Sequence, residues 1–447
     1  MMRIICGLED ASSYIANRGG IDSIEVPESI KEGIRRIFGS NKSPIDVVAQ
    51  ILEEVKLRGD SAVREFSLRI DGIEQRNVEI SAKEMKVAYE SLTEGLKDAI
   101  KLSSKRISDF TKMSLPKSWY DETLGLGETV VPLERVGIYV PGGTAAYPST
   151  VLMTAVTAKA AGVSEVVMCS PLSNGVESQV TLAAAYVAGV DRLFNIGGAQ
   201  AIAAMAYGTE SIPSVHKICG PGNIFVSLAK KLLFGFVGID GIFGPTETMV
   251  VADENADPRI CAADLLAQAE HDILASPVLV TNSEKLADQV KEELLTQLAS
   301  LERRDIASAA ISGQGIVFIV DDLDEATQVA NLFAPEHLTL MVNDPWRIKP
   351  QIRHAGAVFL GDGSGEVFGD YIAGPSHTIP THGTARFSSY LGSDQFVKRF
   401  PVMFLNESVV SSLIDPTAML ARSEGLTAHA RAVEYRKETR NTSRGGK

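Results

Sequence analysis

The chain is predicted to be α/β, with two doubly wound, Rossmann-like parallel-sheet domains and small helical terminal extensions. Three observations lead there. Short apolar or β-rich runs recur at intervals of roughly 25–30 residues. Each is followed by a loop of small residues and then by an amphipathic or alanine-rich segment with helical spacing. The glycine-rich loops fall at equivalent strand ends, the edge at which an open parallel sheet binds ligands.

Taken in order, residues 28–114 read as mostly helical. Ser43-Pro44 is a cap followed by proline at the first helical position, and Ile45, Val48, Leu52 and Val55 keep one face apolar until Gly59. A β-like stretch, Asn77–Ile80, precedes a second helical stretch over about 82–112. From Arg135 the strand candidates are 136–140, 165–169, 192–196 and 215–219. Their loops are Pro141-Gly142-Gly143, Pro171–Gly175, Gly197-Gly198-Ala199-Gln200 and Gly220-Pro221-Gly222-Asn223. A second series follows at 248–253, 277–281, 315–320, 338–342 and 357–360. The helical segment before residue 134 has no full sheet of its own, so it is assigned to the second series. The expected domains are therefore 28–138 with 247–391, an inserted domain 139–246, and a helical extension 392–447 whose basic tail from Arg440 frays.

Composition narrows the function classes. The 447 residues are 45% hydrophobic and 22% charged, the balance of a soluble globular protein. Net charge is −13, with no basic cluster before the short C-terminal tail, which argues against nucleic acid as a partner. Lys159, Lys230 and Lys231 interrupt the longest apolar runs, so no membrane span is expected. The N-terminus turns acidic at Glu9 and Asp10, too early for a signal peptide. Cys6, Cys169, Cys219 and Cys261 are dispersed, without the spacing of a disulfide framework or a thiolate zinc knuckle. A cytoplasmic enzyme is the expectation.

Four clusters carry chemistry. Phe333-Ala334-Pro335-Glu336-His337-Leu338 puts a carboxylate and an imidazole side by side where Pro335 ends a helix and a β-rich run begins. Histidine titrates near neutrality and burial tunes a glutamate toward it, so the pair suits two different proton transfers. In Cys261–Asp272, Gln268 and His271 share one helix face. Gly369–His377 fixes Asp370 and His377 on a glycine- and proline-rich loop, and Glu424–His429 adds a further acid and imidazole. Two histidines, an aspartate and an amide oxygen together suit zinc, although spacing alone does not bring them together. No GxGxxG follows any strand, so a dinucleotide would be held in a non-standard way.

The motifs Gly137–Gly143, Gly197–Gln200, Phe243–Glu247, Gln268–His271, Ala334–Leu338, Gly369-Asp370 and Glu424–His429 together resemble the histidinol dehydrogenase family, in its order and across almost the whole chain. The resemblance implies oxidation of L-histidinol to L-histidine through the aldehyde, with two NAD reduced and one zinc per subunit of a homodimer. It implies Gln268, His271, Asp370 and His429 as zinc ligands, and Glu336 and His337 as the acid/base pair. Tyr139, Gln200 and Asn223 become the NAD contacts. Thr246, Gln268, His271, His337, Asp370, Glu424 and His429 face the substrate, with the C-terminal segment reaching the partner subunit's site. Two departures stand out: Thr246 replaces the family's commoner serine, and the segment His271–Pro277 differs after the metal histidine. Relatives acting on other alcohols, such as sulfopropanediol dehydrogenases, vary there too. Such a dehydrogenase is one alternative reading, and a catalytically silent zinc- or dinucleotide-binding protein is another. Glu424, suited to a substrate imidazole and repellent to a sulfonate, favours histidinol. His216, His354 and His382 are read as structural.

Overall fold

A computed structural model describes residues 2–19, 28–39, 41–72, 78–142, 147–172 and 176–444; Gly143, the tip of the 171–175 loop, Asn77 and the last three residues lie outside them. Internal contacts divide the chain into two compact units, Met1–Leu115 with Leu133–Phe396, and Pro116–Pro132 with Val397–Lys447.

The larger unit holds two six-stranded sheets. The first runs, edge to edge, Arg3–Cys6, Ile316–Ile319, Ser276–Thr281, Glu247–Ala252, His337–Met341 and Ala357–Leu360, all parallel. Its central strands are buried on both faces, as crossover helices require. One face packs on the helices Pro258–Ala269 and Glu284–Leu298 through Leu265, Leu266, Leu286 and Val290. The other packs on Leu323–Phe333 through Val329, Ala330 and Phe333.

The second sheet runs Glu79–Ile80, Arg192–Phe194, Glu165–Cys169, Arg135–Tyr139, Lys217–Cys219 and Gly238–Ile239. It is parallel except for its short edge strand Glu79–Ile80. The strand order reverses direction at Arg135–Tyr139 beside Lys217–Cys219, the switch point where such sheets bind ligands. There Gly220 has φ +114 and stands so close to the Tyr139 carbonyl that a Cβ would collide with it.

The domain boundaries differ from those read off the sequence. Helix Pro44–Arg58, capped by Ser43 as expected, buries Val47, Val48, Ile51, Leu52 and Val55, and Asp60–Phe66 buries Phe66. Both sets join the core of the second sheet with Phe194, Ile202 and Ile218, not that of the first as the 28–138 assignment required. Nothing in an amphipathic face says which of two apolar sheets it will cover. Residue 139 is likewise not a boundary, since Tyr139 ends a central strand. The N-terminal strand Arg3–Cys6 adds the first sheet's edge, which the sequence did not suggest.

The smaller unit has an antiparallel sheet ordered Val397–Met403, Leu126–Pro132, Trp119–Asp121, and two helices, Glu407–Ser423 and Thr427–Arg444. The helices turn through Gly425 (φ +76) and meet on Ala418, Ala421 and Ala430. The 392–447 extension is thus not wholly helical.

Candidate active site

Helix Leu323–Phe333 ends as Pro335 dictates. Ala334 caps it in the left-handed region (φ 52), and His337 is the first residue of the strand that follows. This puts Glu336 and His337 at the edge of a central strand, both buried. The neighbouring strand holds them through the backbone of one residue. Glu247 N–H donates to Glu336 Oε2 (2.9 Å), and the Glu247 carbonyl lies 3.1 Å from His337 Nδ1. A carbonyl only accepts, so Nδ1 carries a proton and the neutral ring presents Nε2 as its basic atom. Among the described residues that Nε2 has no hydrogen-bond partner, and it stands 3.5 Å from Asp370 Oδ1.

Around it Thr246, Gln268 and Asp370 converge. Gln268, buried near the end of its helix, donates from Nε2 to Asp370 Oδ2 (3.2 Å). Thr246 Oγ1 lies 2.9 Å from Gln268 Oε1 and 2.7 Å from Glu336 Oε2, so its single proton serves one of them at a time. His271 follows Gln268 one turn later, past the helix end, on the exposed side. Helix Glu94–Ser114 braces the loop behind Asp370: Ser103 Oγ donates to the Tyr371 carbonyl (2.5 Å), and Arg106 Nε to that of Ile372 (2.9 Å). Glu424 and His429 belong to the smaller unit, where both are exposed.

Burial and charge set the proton affinities. Burial pushes the Glu336 carboxyl up to about 7, against the opposing pull of His337 and the Thr246 hydrogen bond. Burial alone would lower His337, but Glu336, Asp370 and Glu366 outweigh it and hold the imidazole up at about 10, so the ring serves as a base once a bound cation offsets those carboxylates. Asp370 stays below its ordinary range because His337 overcomes the cost of its burial. Three carboxylates thus crowd one imidazole, an arrangement that favours an added cation. Gln268, His271 and Asp370 offer O, N and O donors of the kind zinc accepts, one short of a four-coordinate protein set. Among the described residues no group of three or more His, Cys, Asp or Glu side chains is gathered as a metal site. One of the three donors here is an amide.

Glu366 was not singled out from sequence. It is fully buried, accepts from Thr248 Oγ1 (2.7 Å), and is pushed up to about 8 by burial. Glu247, also missed as a side chain, is buried against Arg18, with His382 Nδ1 3.5 Å away. His382 takes φ 52, so the residue read as structural sits in a conformation that non-glycine residues seldom adopt.

A cavity of about 710 Å³ opens at the switch point of the second sheet. It is lined by the three residues expected to touch NAD, Tyr139, Gln200 and Asn223, together with Gly142, Gly198 and Asp71. Tyr139 Oη accepts from Gly198 N–H (3.1 Å). Gln200 is buried and donates to Asp71 Oδ2 (3.1 Å), while its Oε1 has no partner among the described residues. Asn223 Oδ1 caps helix Ile224–Leu233 by accepting from the amides of Phe225 and Val226.

No helix among the described residues is long and apolar enough to cross a membrane. The histidinol dehydrogenase family profile matches residues 36–437. The chain is 48% identical over 434 residues to a histidinol dehydrogenase of Aquifex aeolicus, covering 96% of this chain and 97% of that one. It is 46% identical to one of Dehalococcoides mccartyi, covering 98% and 100%. The crystal structure of histidinol dehydrogenase from Elizabethkingia anophelis superposes with a TM-score of 0.90 at 31% identity, covering 98% of this chain and 99% of that one. The shared fold and this likeness over nearly the full length make the chain an oxidoreductase that belongs to the histidinol dehydrogenase family.

Proposed function

We propose that the protein oxidises L-histidinol to L-histidine through L-histidinal, in the last steps of histidine biosynthesis, with two NAD reduced. The observation that carries this reading is the buried Glu336–His337 pair. The backbone of one residue, Glu247, holds both side chains, and His337 Nε2 lies 3.5 Å from Asp370 Oδ1, whose other oxygen accepts from Gln268. In the first oxidation His337 Nε2 takes the hydroxyl proton as hydride leaves the carbinol carbon for NAD. The aldehyde stays in place. Glu336 then takes a proton from water as it adds to the carbonyl, and the hydrate gives up the second hydride. Thr246 orients Glu336, and Glu247 sets the His337 tautomer.

Gln268, His271 and Asp370, with the partner subunit's His429, would hold zinc, which would orient the substrate's nitrogens and compensate the charge of the carboxylates. The exposure of Glu424 and His429 on the smaller unit supports their assignment to a second protomer of a homodimer. NAD belongs in the cavity lined by Tyr139, Gln200 and Asn223. A cytoplasmic location fits a biosynthetic enzyme using that cofactor.

A substrate panel tests the reading. L-Histidinol should be oxidised with kcat/KM at least about a hundredfold above that for 2,3-dihydroxypropanesulfonate, because a site rich in carboxylates repels an anion. Preference for the sulfonate would move the protein to another branch of the fold.

A further inference from the structure

We propose that Asp71 is the ribose-recognition residue of the dinucleotide cavity, accepting from the 2′-hydroxyl of the adenosine ribose and excluding a 2′-phosphate, so that it sets preference for NAD over NADP. The inference rests on the reading of this cavity as the NAD site and concerns a residue outside the expected contacts.

Three observations meet at Asp71. Helix Asp60–Phe66 widens into a π turn, Ser67–Asp71, before Gly72 at φ 67 ends it. Such single π turns are uncommon and concentrate at functional sites, because the extra residue redirects one side chain. Here the turn delivers Asp71 to the cavity wall. The carboxylate is then held in place: Gln200, itself buried with no exposed surface, donates to Oδ2. Among the described residues no partner of Oδ1 is found, which leaves it for a ligand, and Gln200 Oε1 likewise has none. Finally, no basic side chain among the described residues lines the cavity or pairs with this carboxylate, whose protonation burial favours up to about 6. A carboxylate of that kind accepts hydrogen bonds from a sugar hydroxyl and opposes a phosphate dianion. In the familiar dinucleotide fold that acid comes from the end of a strand; here a helix outside the sheet supplies it, consistent with the lack of GxGxxG.

The test is calorimetric titration of the dimeric, metal-replete protein with NAD and with NADP, in wild type, Asp71→Asn and Gln200→Ala. Wild type should bind NAD at least about tenfold more tightly than NADP. Asp71→Asn, which keeps the shape and removes the charge, should narrow that ratio about tenfold, chiefly by tightening NADP. Asp71→Ser should act in the same direction if the amide folds poorly. An unchanged ratio, with NAD binding still weakened by Gln200→Ala, overturns the role of Asp71 and leaves the cavity reading standing. No NAD binding by wild type, or none sensitive to Gln200→Ala, overturns both.

Discussion

Replacing Glu336 by glutamine should separate the two oxidations. The Glu336 oxygen that accepts from Thr246 Oγ1 (2.7 Å) and Glu247 N–H (2.9 Å) is matched by the amide oxygen of glutamine. Both contacts survive, so the change in stability should stay within about 1 kcal/mol. What disappears is the base. A positioned base contributes about 10²–10⁴-fold, or roughly 3–5 kcal/mol of barrier, and only the hydration and second hydride transfer use this one. Stopped-flow absorbance with L-histidinol should therefore show a burst near one NADH per site, followed by a stall. With L-histidinal supplied directly, the rate should fall by at least about a hundredfold. The pH profile adds a second readout. Glu336 works only when ionised, and burial pushes it up to about 7, so the second oxidation should rise with pH through that value. This limb should vanish in the variant. Equal loss of both oxidations in Glu336→Gln would refute the division of roles.

Other outcomes follow from the same geometry. If the partner subunit's His429 completes each site, mixing inactive His271→Asn and His429→Asn protomers should restore about a quarter of wild-type activity. Half the dimers are mixed and each holds one intact site; no recovery would mean that each chain completes its own. Lys230, buried against Asp240 at 2.5 Å and donating to the Gly220 carbonyl, anchors the loop beside the cavity. Lys230→Met strands the carboxylate and should cost about 3–5 kcal/mol in denaturant unfolding, with Lys230→Met/Asp240→Asn recovering most of it. Gly220→Ala should weaken NAD binding in calorimetry by at least about tenfold, because the new methyl displaces the Tyr139 carbonyl and the ring below it.

The Glu336–His337 junction was legible because its signals are local. Pro335 stops one element, the apolar run from Leu338 starts the next, and the intervening pair is fixed at their boundary. Strands 165–169 and 357–360 were read with their observed bounds for the same reason, short apolar runs between turn residues. What escaped depends on distant partners. Arg3–Cys6 is a strand only because Ile316–Ile319 offers it an edge. Helix Pro44–Arg58 shows an apolar face that suits either sheet. Val397–Met403 carries Pro401 and exposed residues, a pattern that only an edge strand tolerates. Glu366 reads in sequence like any helical glutamate, and its burial beside His337 depends on packing contributed by other elements. Asp71 precedes a glycine as many turn aspartates do, and the π turn that aims it has no sequence signature.

Counting NADH formed per L-histidinol consumed, before chelation, after it, and after zinc is restored, tests whether two successive oxidations occur at one zinc-supported site. Two NADH per substrate are expected, lost with the metal and regained with it. One NADH per substrate, with free aldehyde accumulating, would contradict that expectation.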